Sequence, residues 1–264
     1  MPLPIIQTMW IGDRLSTIEA LCASSFLYHG HEFHLYTYGN VDNVPAGVTI
    51  KDGNEIIPKN EIFTTGKTQS FAPFADWFRW VLLYKLGGFW VDMDVVCIKP
   101  FVFDRNTIFG LQGEQVCNAV ISFPAGHELC KFMADVCDKP NTLLPYDSPK
   151  VRRRKILRRL INNSRSNIRW GETGGPEGFS SALVHFKLFH YAKPFTYFYP
   201  IHYSCWKSIF DSTLCNDTEL FSETHAIHLW NEVARREQGF DKNSDFTEGS
   251  LIEQLKKKYL NSKG

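Results

Sequence analysis

The sequence predicts an α/β protein whose mainly parallel sheet is flanked by helices. One observation behind this prediction is the order of elements in the first forty residues. Residues 5–12 form a short apolar strand that ends in a turn, residues 16–28 have apolar side chains at helical spacing, and residues 33–38 alternate as a second strand. A strand, a helix and a strand in this order are typical of a βαβ unit, whose two strands are parallel.

The second observation is a helix that leads directly into a buried strand. Residues 74–86 carry an apolar stripe of helical period, and the pair Gly87-Gly88 ends it as a flexible turn. Residues 89–91 follow as an apolar strand that runs into Asp92-Met93-Asp94. Because ligands of open α/β sheets collect at the carboxyl ends of strands, the two carboxylates lie where a ligand is expected.

The length and composition indicate one folded domain. The chain has 264 residues, of which 44% are hydrophobic and 22% are charged, and these values exclude collagen-like, coiled-coil and wholly disordered chains. We expect a single domain over residues 1–264. It includes a basic helical excursion near residues 148–170 and a C-terminal amphipathic helix near residues 249–262.

The basic residues are concentrated in one segment. Lys and Arg number 29 and Asp and Glu 28, so the formal charge is +1 and no nucleic-acid partner is predicted. Nine of the 29 basic residues fall within residues 150–169, which leaves 20 basic against 28 acidic residues elsewhere. The segment is either a solvated helix face or an interfacial segment attracted to anionic lipid.

The location of the protein is predicted from weaker signals. No run of about 18 apolar residues occurs, and the N-terminus lacks the features of a secretory signal. The seven cysteines form no CxxC pair and are expected to be reduced, mostly packing thiols. These features favour a cytoplasmic protein with peripheral contact at the inner face of the membrane. A luminal enzyme separated from its membrane anchor is the open alternative.

Two pairs of charged residues are candidates for a site. Asp92 and Asp94 supply the oxygen ligands that a hard divalent cation prefers, although the same tripeptide also occurs in surface turns. Asp76 and Arg79 are three residues apart, so both side chains can project from one side of a helix. The plain interpretation of that second pair is an exposed ion pair.

The central block resembles a known family. The segment reads FADWFR, then LLYKLGGFWVDMD over residues 82–94, and this is similar to the S-D-x-x-R, apolar helix, G-G-x-Y-x-D-x-D pattern of the DXD-motif glycosyltransferases. That family includes α1,4-galactosyltransferases and capsular polysaccharide sugar transferases and, more distantly, glucosylating toxins. Further similar blocks are IIQTMWIG near the N-terminus, NAV at 118–120, TGGP at 173–176, FYP at 198–200 and HLWN at 228–231. This chain has Ala75 where serine is usual, Trp90 where tyrosine is common, and Gln7-Thr8 in place of His-Gln.

The resemblance implies a GT-A-like fold that binds a UDP-sugar through Mn²⁺, with Mg²⁺ as the alternative ion. It implies that Asp94 is a direct metal ligand and that Asp92 binds the metal or the ribose and sugar. It also implies that Asp76 accepts hydrogen bonds from sugar hydroxyls and that Arg79 holds a sugar or phosphate oxygen. Arginine suits such contacts because its planar fork meets pairs of oxygens.

The remaining blocks complete the expected site. Trp10 and Gly12 correspond to the family turn that contacts the nucleotide base, although a strand Trp is ordinarily a core residue. His228 is favoured over His225 as a third metal ligand. Trp230 and Asn231 are expected to close over the diphosphate or the donor sugar. Gly174, Gly175 and Pro176 are expected on the acceptor side, although glycine turns are usually only turns.

The resemblance therefore implies a metal-dependent, retaining hexosyltransferase that moves galactose or glucose from a UDP-sugar to a hydroxyl of a saccharide or lipid-linked saccharide. Capsule, lipopolysaccharide or glycolipid synthesis is the expected setting. One alternative is a noncatalytic nucleotide-sugar or glycan-binding protein on the same fold. Another is a metal phosphoesterase built on the paired aspartates.

Overall fold

The computed structural model of this protein describes residues 2–65, 69–169, 171–211 and 221–260, and its main elements are strands and helices. The strands are β1 (Ile6–Met9), β2 (Phe33–Thr37), β3 (Val48–Asp52), β4 (Gly88–Val91), β5 (Val95–Cys97), β6 (Ile108–Gln112), β7 (Gln115–Phe123) and β8 (Ala226–His228). The α-helices are α1 (Thr17–Tyr28), α2 (Ala72–Leu86), α3 (Glu128–Asp138), α4 (Pro149–Ile161), α5 (Pro176–His185), α6 (Asn231–Ala234) and α7 (Leu251–Tyr259).

The central sheet has six strands in the order β3-β2-β1-β4-β7-β6. The pairs β1–β2, β2–β3 and β1–β4 are parallel, whereas β7 is antiparallel to both of its neighbours. Five of the six strands therefore run in one direction, as the sequence predicts. The carboxyl ends of β1 and β4 lie side by side, with Gln7 in register with Trp90.

The two faces of the sheet carry separate apolar clusters. Phe89 and Val91 of β4 join the cluster that includes residues of α1 and α7, whereas Trp90 joins the cluster of α2, α3 and α5. This alternation follows from the period of two in a β-strand. Helices therefore cover both faces, and the predicted α/β class is confirmed.

The turn between α2 and β4 fixes their relative direction. Gly87 has φ +66°, and a Cβ atom there would lie 2.4 Å from the backbone nitrogen of Ala125, so only glycine fits. The helix ends at this tight turn and the strand runs back beneath it. The first half of α2 therefore lies near the carboxyl end of β4, which brings residues 76 and 79 close to residue 92.

A second sheet of two strands completes this edge of the molecule. β5 pairs antiparallel with β8, so Val95 lies opposite His228. The backbone N–H of Leu229 donates to the carbonyl of Asp94 at 2.8 Å. This pairing joins positions about 130 residues apart and brings His228 next to the Asp92–Asp94 turn.

The two predicted basic helices are present with narrower bounds. α4 spans Pro149–Ile161 within the predicted excursion at 148–170, where Trp170 lies outside the described residues. α7 spans Leu251–Tyr259 within the predicted 249–262, and residues 261–264 lie outside the described part. Among the helices described, none has the length and apolar character needed to cross a bilayer. Of the six cysteines described, five are buried, and Cys215 lies outside the described residues.

Candidate active site

A cavity of about 720 Å³ lies at the carboxyl ends of β1 and β4. It brings together most of the predicted site residues. Its lining includes Thr8, Met9, Trp10, Ile11, Asp76, Arg79, Trp90, Asp92, Met93, Asp94, Gln112, Gln115, Cys117, Asn118, Pro176, Tyr203, His228, Trp230, Glu232 and Arg236. A cleft at this position of an α/β sheet is the usual place for a ligand.

Arg79 links two of the predicted acids. Its Nη1 donates to Asp76 Oδ1 at 2.9 Å, and its Nη2 donates to Asp92 Oδ1 at 2.7 Å. The side chain is not the exposed ion-pair partner of the plain interpretation, because the residue is only 3% exposed. Both terminal nitrogens thus hold carboxylates in this structure. Arg79 is placed to orient Asp76 and Asp92, whereas its predicted contact with a sugar or phosphate oxygen stays a prediction.

The surroundings of Asp76 favour its protonated form more than usual. Burial is the largest influence and raises the pKa of Asp76 to about 6, with a further increase from the charge of Asp92 and an opposing decrease from Arg79. Asn118 Nδ2 also donates to Asp76 Oδ1 at 2.9 Å. Two donors, Arg79 and Asn118, therefore hold the same oxygen of this carboxyl group at the cavity wall.

Asp92 is held on one of its oxygens. Trp90 Nε1 and Arg79 Nη2 each donate to Oδ1 at 2.7 Å. Trp90, one of the departures from the family pattern, is thus an indole donor to this carboxylate. Because both bonds fall on Oδ1, Oδ2 is available toward the cavity within the described part of the chain.

Asp94 and His228 form a buried ion pair with 3.1 Å between His228 Nε2 and Asp94 Oδ1. The backbone N–H of Asn231 donates to Asp94 Oδ2 at 2.9 Å. Burial disfavours charge on both side chains, but their attraction prevails, raising the pKa of His228 and lowering the pKa of Asp94. The prediction that His228 rather than His225 lies at the site is consistent with this placement, since His225 contacts the Pro100 carbonyl instead.

The donor set suits a hard divalent cation in its chemistry. Asp92 and Asp94 offer carboxylate oxygens, and Asn231 has a buried side-chain oxygen without a hydrogen-bond partner among the described residues. The arrangement is not a closed metal cage, because no group of three or more His, Cys, Asp or Glu side chains in the described ranges is spaced to hold an ion. His228 in particular faces Asp94 as an ion-pair partner, so a role as metal ligand requires loss of its proton.

Two tryptophans line the cavity. Trp10 is half-buried at the end of β1, where its Nε1 donates to the Arg14 carbonyl at 3.2 Å and packs against Gly12. Trp230 is buried, has φ +58° and donates from Nε1 to the Ile201 carbonyl at 2.8 Å. Both indoles therefore line the cavity, while their expected contacts with the base and with the diphosphate or the donor sugar stay predictions.

The glycine-rich turn packs behind Asp76. The carbonyl of Gly174 accepts hydrogen bonds from Trp80 Nε1 at 3.0 Å and from Asn118 Nδ2 at 3.2 Å. A Cβ atom on Gly174 would lie 2.8 Å from the Cβ of Asp76, so a side chain does not fit there. Of the predicted acceptor-side residues, Pro176 lines the cavity, whereas Gly174 and Gly175 support its wall.

Several lining residues were not predicted to belong to the site. The sequence indicates Asn118 only as part of a block similar to the family, whereas the structure shows that its side chain bridges Asp76 and the Gly174 carbonyl. Thr8 has a buried hydroxyl with no partner among the described residues. Tyr203 and Glu232 also line the cavity. No local signal distinguishes these residues, because only the packing of distant segments places them at the cavity.

Two family models match the chain. One, described as a glycosyltransferase sugar-binding region containing a DXD motif, covers residues 31–112. The other, described as an alpha 1,4-glycosyltransferase conserved region, covers residues 183–259. The first match contains Asp76, Arg79, Asp92 and Asp94, and the second contains His228 and Trp230. The two matched regions thus contribute to the same cavity.

Proteins similar to this chain in sequence include lactosylceramide 4-alpha-galactosyltransferases. The one from Gorilla gorilla gorilla is 26% identical over 71% of this chain and 58% of its own length. The relative from Mus musculus is 27% identical over 69% of this chain and 45% of its own length, and that from Homo sapiens is 26% identical over 71% and 54%. The match therefore spans about half the length of these relatives. A solved structure, PaToxG Glycosyltransferase, has a TM-score of 0.44 at 15% identity over 70% of each chain.

Proposed function

We propose that this chain is a metal-dependent hexosyltransferase. Its predicted resemblance to the DXD-motif glycosyltransferases of the α1,4-galactosyltransferase type is confirmed by the two family models taken together. Its donor is a UDP-sugar, with galactose or glucose as the transferred hexose, and its acceptor is a saccharide hydroxyl. The observation that carries the proposal is the Asp76–Arg79–Asp92 chain beside the Asp94–His228 pair at one cavity.

The charges of the cavity favour a cation. Three aspartates, 76, 92 and 94, face two cationic partners, Arg79 and His228, so the inner site has an excess of negative charge. Asp92 and Asp94 would hold Mn²⁺ or Mg²⁺, with His228 as a further ligand after deprotonation. A bound cation supplies neutralisation of the charge that develops on the diphosphate leaving group.

The protein's own residues would orient the donor. Asp76 accepts hydrogen bonds from sugar hydroxyls, while Arg79 and Asn118 keep its carboxylate in position. Trp10 is the proposed surface for the base, because a half-buried indole at the cavity wall offers a flat face. Trp230 and Asn231 would close over the diphosphate or the donor sugar next to Asp94, which accepts a hydrogen bond from the Asn231 backbone N–H. Pre-organisation of this kind lowers the cost of aligning the reacting atoms.

The stereochemical course belongs to the same proposal. Retention, as the resemblance implies, yields an α-linked product either by double displacement through a covalent intermediate or by attack on the same face as the departing phosphate. We favour same-face attack, in which the leaving phosphate oxygen accepts the proton of the acceptor hydroxyl. The acceptor would enter beside Pro176 and Tyr203.

The acceptor and location are proposed as follows. A lipid-linked saccharide suits the basic segment at residues 150–169, which would contact an anionic membrane from the cytoplasmic side. Capsule, lipopolysaccharide or glycolipid synthesis is the corresponding setting. These assignments are supported by charge and by the resemblance.

The test is release of the nucleoside diphosphate by the purified chain, which is UDP from a UDP-sugar and GDP from GDP-mannose. UDP-galactose, UDP-glucose and GDP-mannose are compared with Mn²⁺, Mg²⁺ or EDTA, with and without a saccharide acceptor. We expect release from one UDP-sugar that requires the metal and rises with acceptor. Asp94→Asn should reduce turnover at least about 100-fold, because a metal ligand and the partner of His228 are lost. Thermal unfolding and circular dichroism establish that this variant folds.

Asp104→Asn is the matched control, because Asp104 is an exposed aspartate outside the cavity. Near-normal turnover in Asp94→Asn would rule out the metal assignment. A UDP-sugar that raises the melting temperature without any release of UDP would instead indicate the noncatalytic binding protein, since ligands that bind the folded state stabilise it.

A further inference from the structure

Helix α4 has an inverted distribution of side chains. Its one buried residue is Lys155, whereas Leu160 and Ile161 are 79% and 82% exposed. Ile156 and Leu157 are exposed as well. An ordinary surface helix buries its apolar stripe and exposes its lysines, so the outward apolar face of α4 is not explained by packing within this chain.

The outward face is continuous. Arg153, Ile156, Leu157, Leu160 and Ile161 follow the spacing i, i+3, i+4, i+7 and i+8, which places them on one side of a helix. Lys155 projects from the opposite side. The face therefore combines four apolar side chains with one cation at its N-terminal end.

The inner side of α4 is fixed by ion pairs. Lys155 Nζ donates to Asp147 Oδ2 at 2.9 Å, and Arg154 and Arg158 donate to the two oxygens of Glu172 at 2.8 and 3.0 Å. Arg159 Nε also donates to the Asn141 carbonyl at 2.9 Å. These contacts account for four of the basic residues and prevent the helix from rolling its apolar face inward.

The remaining cations flank the apolar face. Lys150, Arg152 and Arg153 are exposed, and none of the three forms an ion pair within the described ranges. A shallow groove of about 520 Å³ lies along the helix. Its lining includes the cations Lys150 and Arg153 and the apolar residues Leu157 and Ile161. Apolar and cationic groups thus meet at one surface, which is the composition of interfacial helices that bind anionic lipid.

We propose that α4 docks on an anionic bilayer with its apolar face inserted at the headgroup boundary and its three flanking cations on lipid phosphates. Positive charge beside an exposed apolar face matches an anionic membrane in both respects. The proposal deepens the membrane contact suggested with the proposed function by assigning the face and the inserted residues. It is measured by vesicle binding, which does not require sugar transfer.

The ion pairs give this docking a consequence for the site. Glu172, which holds Arg154 and Arg158, lies two residues before Gly174, whose carbonyl is bound by Asn118 and Trp80 at the cavity wall. The docked helix is therefore tied to the wall of the cavity. The bilayer would meet the molecule at a fixed angle to the site, as transfer to a lipid-linked saccharide requires.

The experiment is co-sedimentation of the full chain with vesicles of phosphatidylcholine alone or mixed with phosphatidylglycerol. We expect binding only to the anionic vesicles. Leu160→Ser with Ile161→Ser should lower the partition coefficient at least about tenfold, since the inserted apolar area is lost. Lys150→Gln, Arg152→Gln and Arg153→Gln together should lower it on the order of a hundredfold.

Matched controls separate these effects from general changes of surface. Val102→Ser with Val184→Ser alters two other exposed apolar residues, which are 67% and 64% exposed. Lys59→Gln, Lys139→Gln and Lys187→Gln remove three exposed cations elsewhere. Both control variants should bind anionic vesicles as the unaltered chain does.

Three outcomes would overturn the docking proposal: equal binding to both kinds of vesicle, no binding to either, or full binding by the Leu160/Ile161 variant. A chain that is dimeric in solution and becomes monomeric on the same double substitution would show that a second copy covers the face instead. UDP release from the donor in the presence of a soluble acceptor, without vesicles, should be unchanged in the docking variants. If the unaltered chain bound anionic vesicles but transferred no sugar, the proposed function would be contradicted and the docking proposal would not.

Discussion

Arg79 and Glu172 are each a buried charged residue that lies between two residues of the opposite charge. Arg79 is one buried cation between two carboxylates, Asp76 and Asp92, and it leaves an excess of negative charge at the cavity. Glu172 is one buried carboxylate between two cations, Arg154 and Arg158, and it leaves an excess of positive charge on α4. Each triad satisfies its buried member and presents the surplus charge to solvent.

The difference between the triads lies in what the surplus can attract. The negative surplus lies inside a cavity, where a small cation with a diphosphate would compensate it. The positive surplus lies on an open helix beside exposed leucine and isoleucine, where an extended anionic surface would compensate it. Similar ion pairs thus leave surplus charges of opposite sign, and the shape around each triad determines whether a small ion or an extended surface would compensate the surplus.

The largest expected effect comes from removing the central cation of the cavity triad. Arg79→Met should lower the free energy of unfolding by about 3–5 kcal/mol, because two carboxylates in a poorly solvated site lose their shared partner. Urea denaturation monitored by tryptophan fluorescence measures it. Arg105→Met, which removes an arginine from an exposed pair with Asp104, should change stability by less than about 1 kcal/mol. Equal effects of the two substitutions would mean that Arg79 is not the centre of the triad.

The second prediction uses pH to separate the triads. The hydrogen bonds and charges of Arg154 and Arg158 outweigh burial and lower the pKa of Glu172, so its contribution to stability is present above about pH 4.5 and is lost as the pH falls. Burial raises the pKa of Asp76 to about 6, so the folded state retains a proton that the unfolded state releases. The contribution of Asp76 to the free energy of unfolding should therefore fall as the pH rises from about 4 to about 6.

The measurement is urea denaturation at several pH values in EDTA. Glu172→Gln should cost roughly 1–3 kcal/mol at pH 7 and remove part of the loss of stability on the acid side. Asp76→Asn should remove the decline between about pH 4 and 6. If both variants flatten the same part of the curve, the two triads do not differ in the sense described.

Local sequence patterns predict the elements around the cavity well. The helix expected at 74–86 is α2 at Ala72–Leu86, and the strand expected at 89–91 is β4 at Gly88–Val91. Both are accurate because a turn that only glycine fits separates an apolar helical stripe from an apolar run. The β5–β8 pair was not predicted, since it depends on contacts between segments far apart in the chain.

The site could be predicted in composition more than in contacts. The spacing of Asp76 and Arg79 correctly indicates that their side chains lie on one side of α2, where they form a 2.9 Å ion pair. It does not indicate that Arg79 also holds Asp92, which depends on the Gly87 turn. In the segment at residues 150–169 the composition reveals nine cations near one another but not which of them pair with Asp147 and Glu172, because those partners lie outside the segment's basic run or outside its helix.

The smallest expected effect tests whether the apolar face of α4 contributes to folding. Leu160→Ala should change the free energy of unfolding by less than about 0.5 kcal/mol, because its side chain is already exposed and alanine favours a helix at least as well as leucine. Leu183→Ala in α5 should cost about 2–5 kcal/mol, because that leucine is fully buried. Urea denaturation of the two variants gives the comparison. A large loss in Leu160→Ala would mean that the face packs within the folded chain, whereas a negligible loss leaves it without a structural role and available for a partner outside the chain.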